Sequence, residues 1–233
     1  MQRESIEQAL ERARAALDSG RGLENTGFWK AVSEARADPA VAREFGHAIA
    51  ALDRRTFEST VRPHVSEGVG TTVLAAGTAA AVAALLWSQE QESVLVRSLV
   101  FLAAFGVLEV STHSLAHWVV GRLVGIRFTH YFIGGPPPPR PGAKIDYASY
   151  LSTPPGKRAV MHASGAVVTK VLPFALIPVA LRIRTYPWVI YVLMIVGLVQ
   201  IVTDVTLSTK NSDWKKVARE LRARAGWHKA EGS

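Results

Sequence analysis

The sequence lacks cysteine altogether and holds little charge for its 233 residues. Without cysteine this chain has no disulfide, no thiolate ligand for zinc or an iron–sulfur cluster, and no thiol nucleophile. Charged residues make up 20 % of the chain and hydrophobic residues 48 %, and the mean hydropathy is +0.15. This composition excludes a chain that is disordered throughout and points towards a membrane protein.

The net charge of +8 is spread unevenly and divides the chain into three parts. Residues 1–66 combine charges of both signs with apolar residues at helical spacing, which predicts a cytosolic segment of short amphipathic helices. Residues 67–208 are mostly apolar, and residues 209–233 are predicted to form a basic cytosolic tail. We therefore expect a mostly α-helical, polytopic membrane protein.

Four apolar stretches in the middle part are long enough to cross a bilayer core of ~30 Å. They comprise residues 70–87, 98–126, 160–181 and 186–205. Between the second and third stretches lies a Pro-rich loop, residues 134–144, whose proline run favours extended polyproline and excludes a helix. The sequence thus predicts about four transmembrane helices.

Lysine and arginine residues near the ends of these spans predict the orientation of the chain. Fifteen of them lie in the segments 54–62, 127–158 and 210–229, against two on the opposite side, Arg182 and Arg184. Both termini and the Pro-rich loop are therefore expected in the cytoplasm. Because the basic residues are interpreted as topology signals, the expected partner is the lipid bilayer and not nucleic acid. We expect the protein in the plasma membrane of a bacterium, although the Cys-free, Ala- and Arg-rich composition is the one indication of the host in the sequence.

The second predicted span carries three ionisable residues, Glu109, His113 and His117. Positions i, i+4 and i+8 lie on nearly one face of a helix. Two histidines at i and i+4 can direct ring nitrogens at one metal ion, and an open zinc site needs a third protein ligand. Asp204 and Asp213 are the candidates for that ligand, and membrane depth favours Asp204. The alternative is that the histidines satisfy interhelical hydrogen bonds or line a polar cavity.

Three stretches of the chain resemble the core of a known family. THSLAHWVVGRLVGIRFTHYFIGG, residues 112–135, resembles the zinc helix of the site-2 protease family of intramembrane metalloproteases. GKRAVMHASGAVVTKVLPF, residues 156–174, is similar to the family's next core helix. VTDVTLSTKNSDWKKVAREL, residues 202–221, stands where the third core helix carries the aspartate that completes the zinc site. The resemblance spans roughly residues 98–222.

This resemblance implies a three-helix core, a zinc ion, and a transmembrane protein as substrate or partner. It also implies that His113 and His117 are zinc ligands and that the third ligand is Asp204 or Asp213. Of these two aspartates, Asp213 is the better positional match to the family's aspartate.

The chain departs from the family at the residue that performs proton transfer. The family's HExxH motif reads HSLAH in this chain, so Ser114 stands in place of the glutamate. That glutamate is the general base, and a serine hydroxyl cannot act as such a base near neutral pH. Glu109 is the candidate replacement base, although it is displaced by about 7.5 Å along the helix and turned by about 140°. Two other roles for Glu109 are open, that of a metal ligand and that of a hydrogen-bond partner of a histidine.

Two functions follow from these residues. The first is a membrane zinc metallopeptidase, a hydrolase whose proteolytic activity is weak or lost because the general base is absent. The alternative is a non-catalytic membrane interaction or regulatory protein on the same fold, which would make the chain a pseudoprotease. A small transporter or channel is a third interpretation, but no inverted repeat supports it.

Overall fold

The computed structural model describes residues 2–134, 140–206 and 212–231. Residues 135–139 of the predicted Pro-rich loop and residues 209–211 of the predicted tail lie outside the described residues. In chain order the elements are α1 (Gln2–Asp18), α2 (Phe28–Ala37), α3 (Pro39–Thr60), β1 (His64–Ser66), α4 (Glu67–Ser88), α5 (Val94–Leu123), β2 (Phe128–Gly134), β3 (Arg140–Ile145), α6 (Tyr147–Ser152), α7 (Pro155–Arg182), α8 (Pro187–Thr206) and α9 (Asp213–Glu231). The mostly α-helical architecture is as expected.

The chain divides into two compact units, which are described separately. We call them the sheet unit, made of Met1–Glu67, Gly121–Ala159 and Ala218–Ser233, and the span unit, made of Gly68–Val120 and Val160–Val217.

Three amphipathic helices, α1 to α3, supply much of the core of the sheet unit. Ile6, Phe28, Val32 and Ile49 are fully buried, so the apolar residues at helical spacing face inward as predicted. Helix α3 begins at Pro39, directly after Asp38, whose side chain accepts hydrogen bonds from the first backbone amides of the helix. Asp38 and Pro39 therefore separate α2 from α3.

A small antiparallel sheet of order β1-β2-β3 completes the sheet unit. Residues 140–145 form strand β3, which pairs with β2 through contacts such as Tyr131 with Ala143. This differs from the expectation of a loop over residues 134–144. The Pro-rich composition was misleading here because proline is tolerated at the edge of a sheet, where β3 lies.

A buried cluster of charged side chains joins α2, the start of α7 and α9 within the sheet unit. Glu220 and Arg158 are both fully buried, and Glu220 Oε2 lies 2.9 Å from Arg158 Nε. Glu220 Oε1 lies 3.2 Å from Arg36 Nε, and the Arg158 guanidinium packs against the rings of Tyr150 and Trp227. Residues 213–231 of the segment predicted as a tail are therefore a packed helix, because one face of α9 carries a carboxylate and an aromatic ring that are both buried.

Among the described residues, four helices are long and apolar enough to cross a membrane. They are Glu67–Ser88, Val94–Leu123, Pro155–Arg182 and Pro187–Asp204, so the four predicted spans are present with ends displaced by a few residues. The buried core of the span unit includes Ala81, Phe101, Leu176 and Leu193, one from each helix.

The outer faces of these helices expose large apolar side chains. Val73, Leu99, Val171 and Ile195 are each more than half exposed. Exposed apolar area of this extent requires a lipid environment, in which helices satisfy their backbone hydrogen bonds internally. The chain is thus a polytopic helical membrane protein.

Candidate metal centre

Two histidines on α5 and one aspartate on α9 converge in the span unit. His113 and His117 lie one helical turn apart, with ring centroids separated by 4.8 Å and the ring planes perpendicular. Asp213 Oδ2 lies 3.1 Å from Nε2 of His117 and 3.6 Å from Nε2 of His113. One ligand atom from each of the three residues lies within 4.8 Å of the others. We call these three residues the His–His–Asp group.

The backbone of α7 fixes the orientation of His117. His117 Nδ1 lies 2.8 Å from the carbonyl oxygen of Met161. A carbonyl oxygen can only accept, so Nδ1 carries the proton and donates it to Met161. The other nitrogen, Nε2, is then the atom that faces Asp213. Metal-binding histidines commonly show this arrangement, in which the outward nitrogen is anchored by a backbone carbonyl.

Close approach of α7 to the histidines depends on Gly165. A Cβ atom built on Gly165 would overlap the imidazole ring of His117, so no larger residue fits without moving the ring. The backbone of Gly165 also hydrogen-bonds the His113 ring. Residues 161–165 therefore position both histidines.

Asp213 begins helix α9 and divides its two oxygens between different partners. Oδ2 faces the histidines, while Oδ1 lies 3.0 Å from Nζ of Lys216, one turn further along α9. Burial acts to raise the pKa of the Asp213 carboxyl, but the neighbouring His117 ring and the Lys216 ammonium outweigh it and hold the pKa well below its usual value. Asp213 is therefore an ionised carboxylate at physiological pH.

The donor set of this group suits a divalent transition metal. Two imidazole nitrogens and one carboxylate oxygen are ligands that zinc accepts, and three protein ligands are typical of zinc sites with an open position. Iron, manganese and cobalt accept the same donors, so the group fits zinc without being specific to it.

The structure brings together some of the predicted ligands and separates others. His113, His117 and Asp213 form the group, whereas the favoured candidate Asp204 pairs with Lys170 of α7. The structure does not bring Asp204 to the histidines, because membrane depth alone does not show which neighbouring helix an aspartate faces.

The two other residues singled out in the second span lie outside the group. Glu109 Oε2 accepts a hydrogen bond of 3.1 Å from Nε2 of Gln200 on α8, which gives this carboxylate a partner other than the histidines. Ser114 is buried, and it brings no charge to the group. Over residues 2–134, 140–206 and 212–231, no further Asp or Glu joins the three ligands.

Lys216 and Met161 are the contributors that sequence reasoning missed. The i, i+3 spacing of Asp213 and Lys216 was a usable signal for the ion pair, since residues three apart are neighbours on a helix. Nothing in the sequence marks the Met161 carbonyl, because a backbone contact leaves no side-chain pattern.

Comparisons with models of protein families, with characterised proteins and with solved structures give no match for this chain.

Proposed function

We propose that this chain is a membrane-embedded zinc-binding protein of the site-2 protease type whose proteolytic activity is weak or lost. The observation that carries the proposal is the convergence of His113, His117 and Asp213 inside a unit built from apolar helices. Ionisable groups are expensive within a membrane and mark functional sites there.

The residues of the chain have distinct parts in this proposal. His113 and His117 hold the ion with their Nε2 atoms, Asp213 holds it with Oδ2, and Met161 keeps His117 in the required tautomer. Bound zinc would supply Lewis-acid polarisation of a carbonyl oxygen and a lowered pKa for water. Ser114 in the general-base position has no group that accepts a proton near neutral pH, so hydrolysis is slow.

A non-catalytic membrane interaction protein on the same fold is the second candidate. It is favoured by one observation, the Ser114 substitution, because retained ligands without a base suit binding better than turnover. In both cases we place the protein in the plasma membrane of a bacterium, with both termini cytoplasmic and a transmembrane protein as substrate or partner.

Metal content tests the shared part of the two candidates. Full-length protein purified in detergent should contain about one zinc per chain, and His113→Ala should lose it. His47→Ala is the matched control, since His47 is an exposed histidine of the sheet unit. Equal zinc in the two variants would contradict the His–His–Asp group as the metal site.

Restoring the missing base separates the two candidates. General-base assistance contributes ~10²–10⁴-fold, so Ser114→Glu should raise cleavage of a transmembrane reporter if only the base is missing. Ser114→Gln introduces a side chain of nearly the same shape as glutamate but without a basic group, so this variant should stay inactive. Zinc-loaded Ser114→Glu protein that does not cleave would favour the interaction protein.

A further inference from the structure

The charge balance of the His–His–Asp group is unusual because its one carboxylate is shared. Asp213 turns Oδ2 to the histidines and holds the ammonium of Lys216 on Oδ1 at 3.0 Å. The negative charge that would offset part of a metal's charge is thus already balanced by a lysine. A divalent ion bound here, with two neutral imidazoles, would leave the site with a net charge of about +2.

The two other carboxylates singled out in the spans do not join the group. Glu109 lies outside it and accepts a hydrogen bond from Gln200, and Asp204 is paired with Lys170. Helix α9 begins at Asp213, so its N-terminal end adds a partial positive charge at the same place. The described part of the chain offers no second carboxylate to the group.

The group is open on one side. The side chain of His113 is 37 % exposed, whereas those of His117 and Asp213 are 13 % and 15 % exposed. Three protein ligands leave a tetrahedral ion one further position. A small ligand therefore reaches the centre from the His113 side.

We propose that the metal centre binds an anionic oxygen ligand, a carboxylate or phosphate oxygen, and that Lys216 supplies the charge that selects it. This inference rests on the proposed metal site and gives it a ligand class. The excess positive charge favours an anion over neutral water, and no residue of the group accepts a proton from water. The oxygen belongs either to a small soluble anion or to the headgroup of an anionic lipid.

Titration of cobalt-loaded protein with inorganic phosphate tests the inference without an activity assay. Cobalt(II) reports its ligands through visible absorption, so phosphate binding to full-length protein in uncharged detergent changes the spectrum. Lys216→Met should weaken phosphate binding by about tenfold to a hundredfold, as expected for one charge about 6 Å away at an effective dielectric constant of ~20. Lys216→Arg should keep the affinity, because it keeps the charge.

Lys215→Met is the matched control. It removes the same charge from an exposed neighbour on the same helix, and it should leave phosphate affinity unchanged. The inference is overturned if Lys216→Met binds cobalt at full stoichiometry and phosphate as tightly as Lys215→Met. Failure of native protein to bind cobalt at all would instead reject the proposed metal site, so the two failures are distinguishable.

Nanodiscs identify the source of the anion. If an anionic lipid headgroup is the ligand, it competes with added phosphate, so the apparent phosphate affinity is weaker in phosphatidylglycerol discs than in phosphatidylcholine discs. Equal affinity in both supports a soluble anion.

Discussion

Neutralising the buried Glu220 should destabilise the sheet unit more than any surface charge change. Glu220 contacts Arg158 at 2.9 Å and Arg36 at 3.2 Å, and its side chain is fully buried. Glu220→Gln keeps the shape of the side chain but removes the carboxylate that lies between the guanidinium groups of Arg36 and Arg158. Arg158 keeps its hydrogen bond to the Arg36 carbonyl oxygen, but both arginines lose the negative charge that offsets their own in a medium of low dielectric constant.

The expected loss is about 3–5 kcal/mol of unfolding free energy, the usual cost of removing one partner from a buried ion pair. The exposed pair Arg3–Glu44 supplies the comparison. Its atoms are also 3.2 Å apart, but the side chains are 70 % and 37 % exposed. Glu44→Gln should cost about 1 kcal/mol or less, because water screens the pair.

Proteolysis of full-length protein across a urea series measures both variants. With a urea dependence of ~2 kcal/mol per molar, Glu220→Gln should lower the midpoint for digestion of the sheet unit by roughly 2 M. The double variant Arg158→Met with Glu220→Leu should recover part of this loss, since apolar replacement of a whole buried pair is often neutral.

A midpoint for Glu220→Gln that matches Glu44→Gln would refute this reasoning. It would show that the buried arginines find other acceptors, and that the Glu220 charge does not hold α9 in place. No recovery in the double variant would point to lost packing instead of unpaired charge.

Three further predictions concern the metal centre and the topology. Gly165→Ala should weaken zinc binding at least tenfold, because the added methyl group displaces the His117 ring. Gly156→Ala on the same helix places its methyl group in open space and should leave zinc binding unchanged. Equilibrium dialysis measures the zinc affinity of both variants. Asp213→Asn should reduce zinc content sharply while Asp204→Asn leaves it unchanged, and the reverse result in metal analysis would restore Asp204 as the ligand. Ser5→Cys, in a chain with no native cysteine, should resist a membrane-impermeant maleimide in intact cells, and labelling from outside would place the N-terminus on the other face.

Hydropathy and periodicity were sufficient for helices α1 to α5, α7 and α8, but not for the strands or α9. Apolar runs of bilayer length gave the four spans, and helical spacing gave α1 to α3, because both signals are local in sequence. The ends of the spans moved by several residues, since helices continue past the apolar stretch into polar residues. Strand β3 was missed because its pairing with β2 is a tertiary contact, and an extended preference does not show whether a segment has a partner strand.

The candidate site was only partly predictable for a related reason. The spacing of His113 and His117 on one helix face is local, and it placed both residues correctly. The third ligand required knowing which helices are neighbours. Depth in the membrane favoured Asp204, but its ion pair with Lys170 is set by the packing of α7 against α8, which the sequence does not reveal.

The distance along the chain between the ligands also has a consequence for biogenesis. Asp213 follows His117 by 96 positions, and helices α7 and α8 lie between them. When α5 enters the bilayer during synthesis, the nascent chain offers only two of the three donors. A metal centre that needs all three forms after both later helices have been inserted, as sites that do not pre-exist in the unfolded chain generally do. If the proposed site binds a metal, metal supply would act on the assembled protein, and cells starved of metal would accumulate inserted chains that bind the ion when it returns.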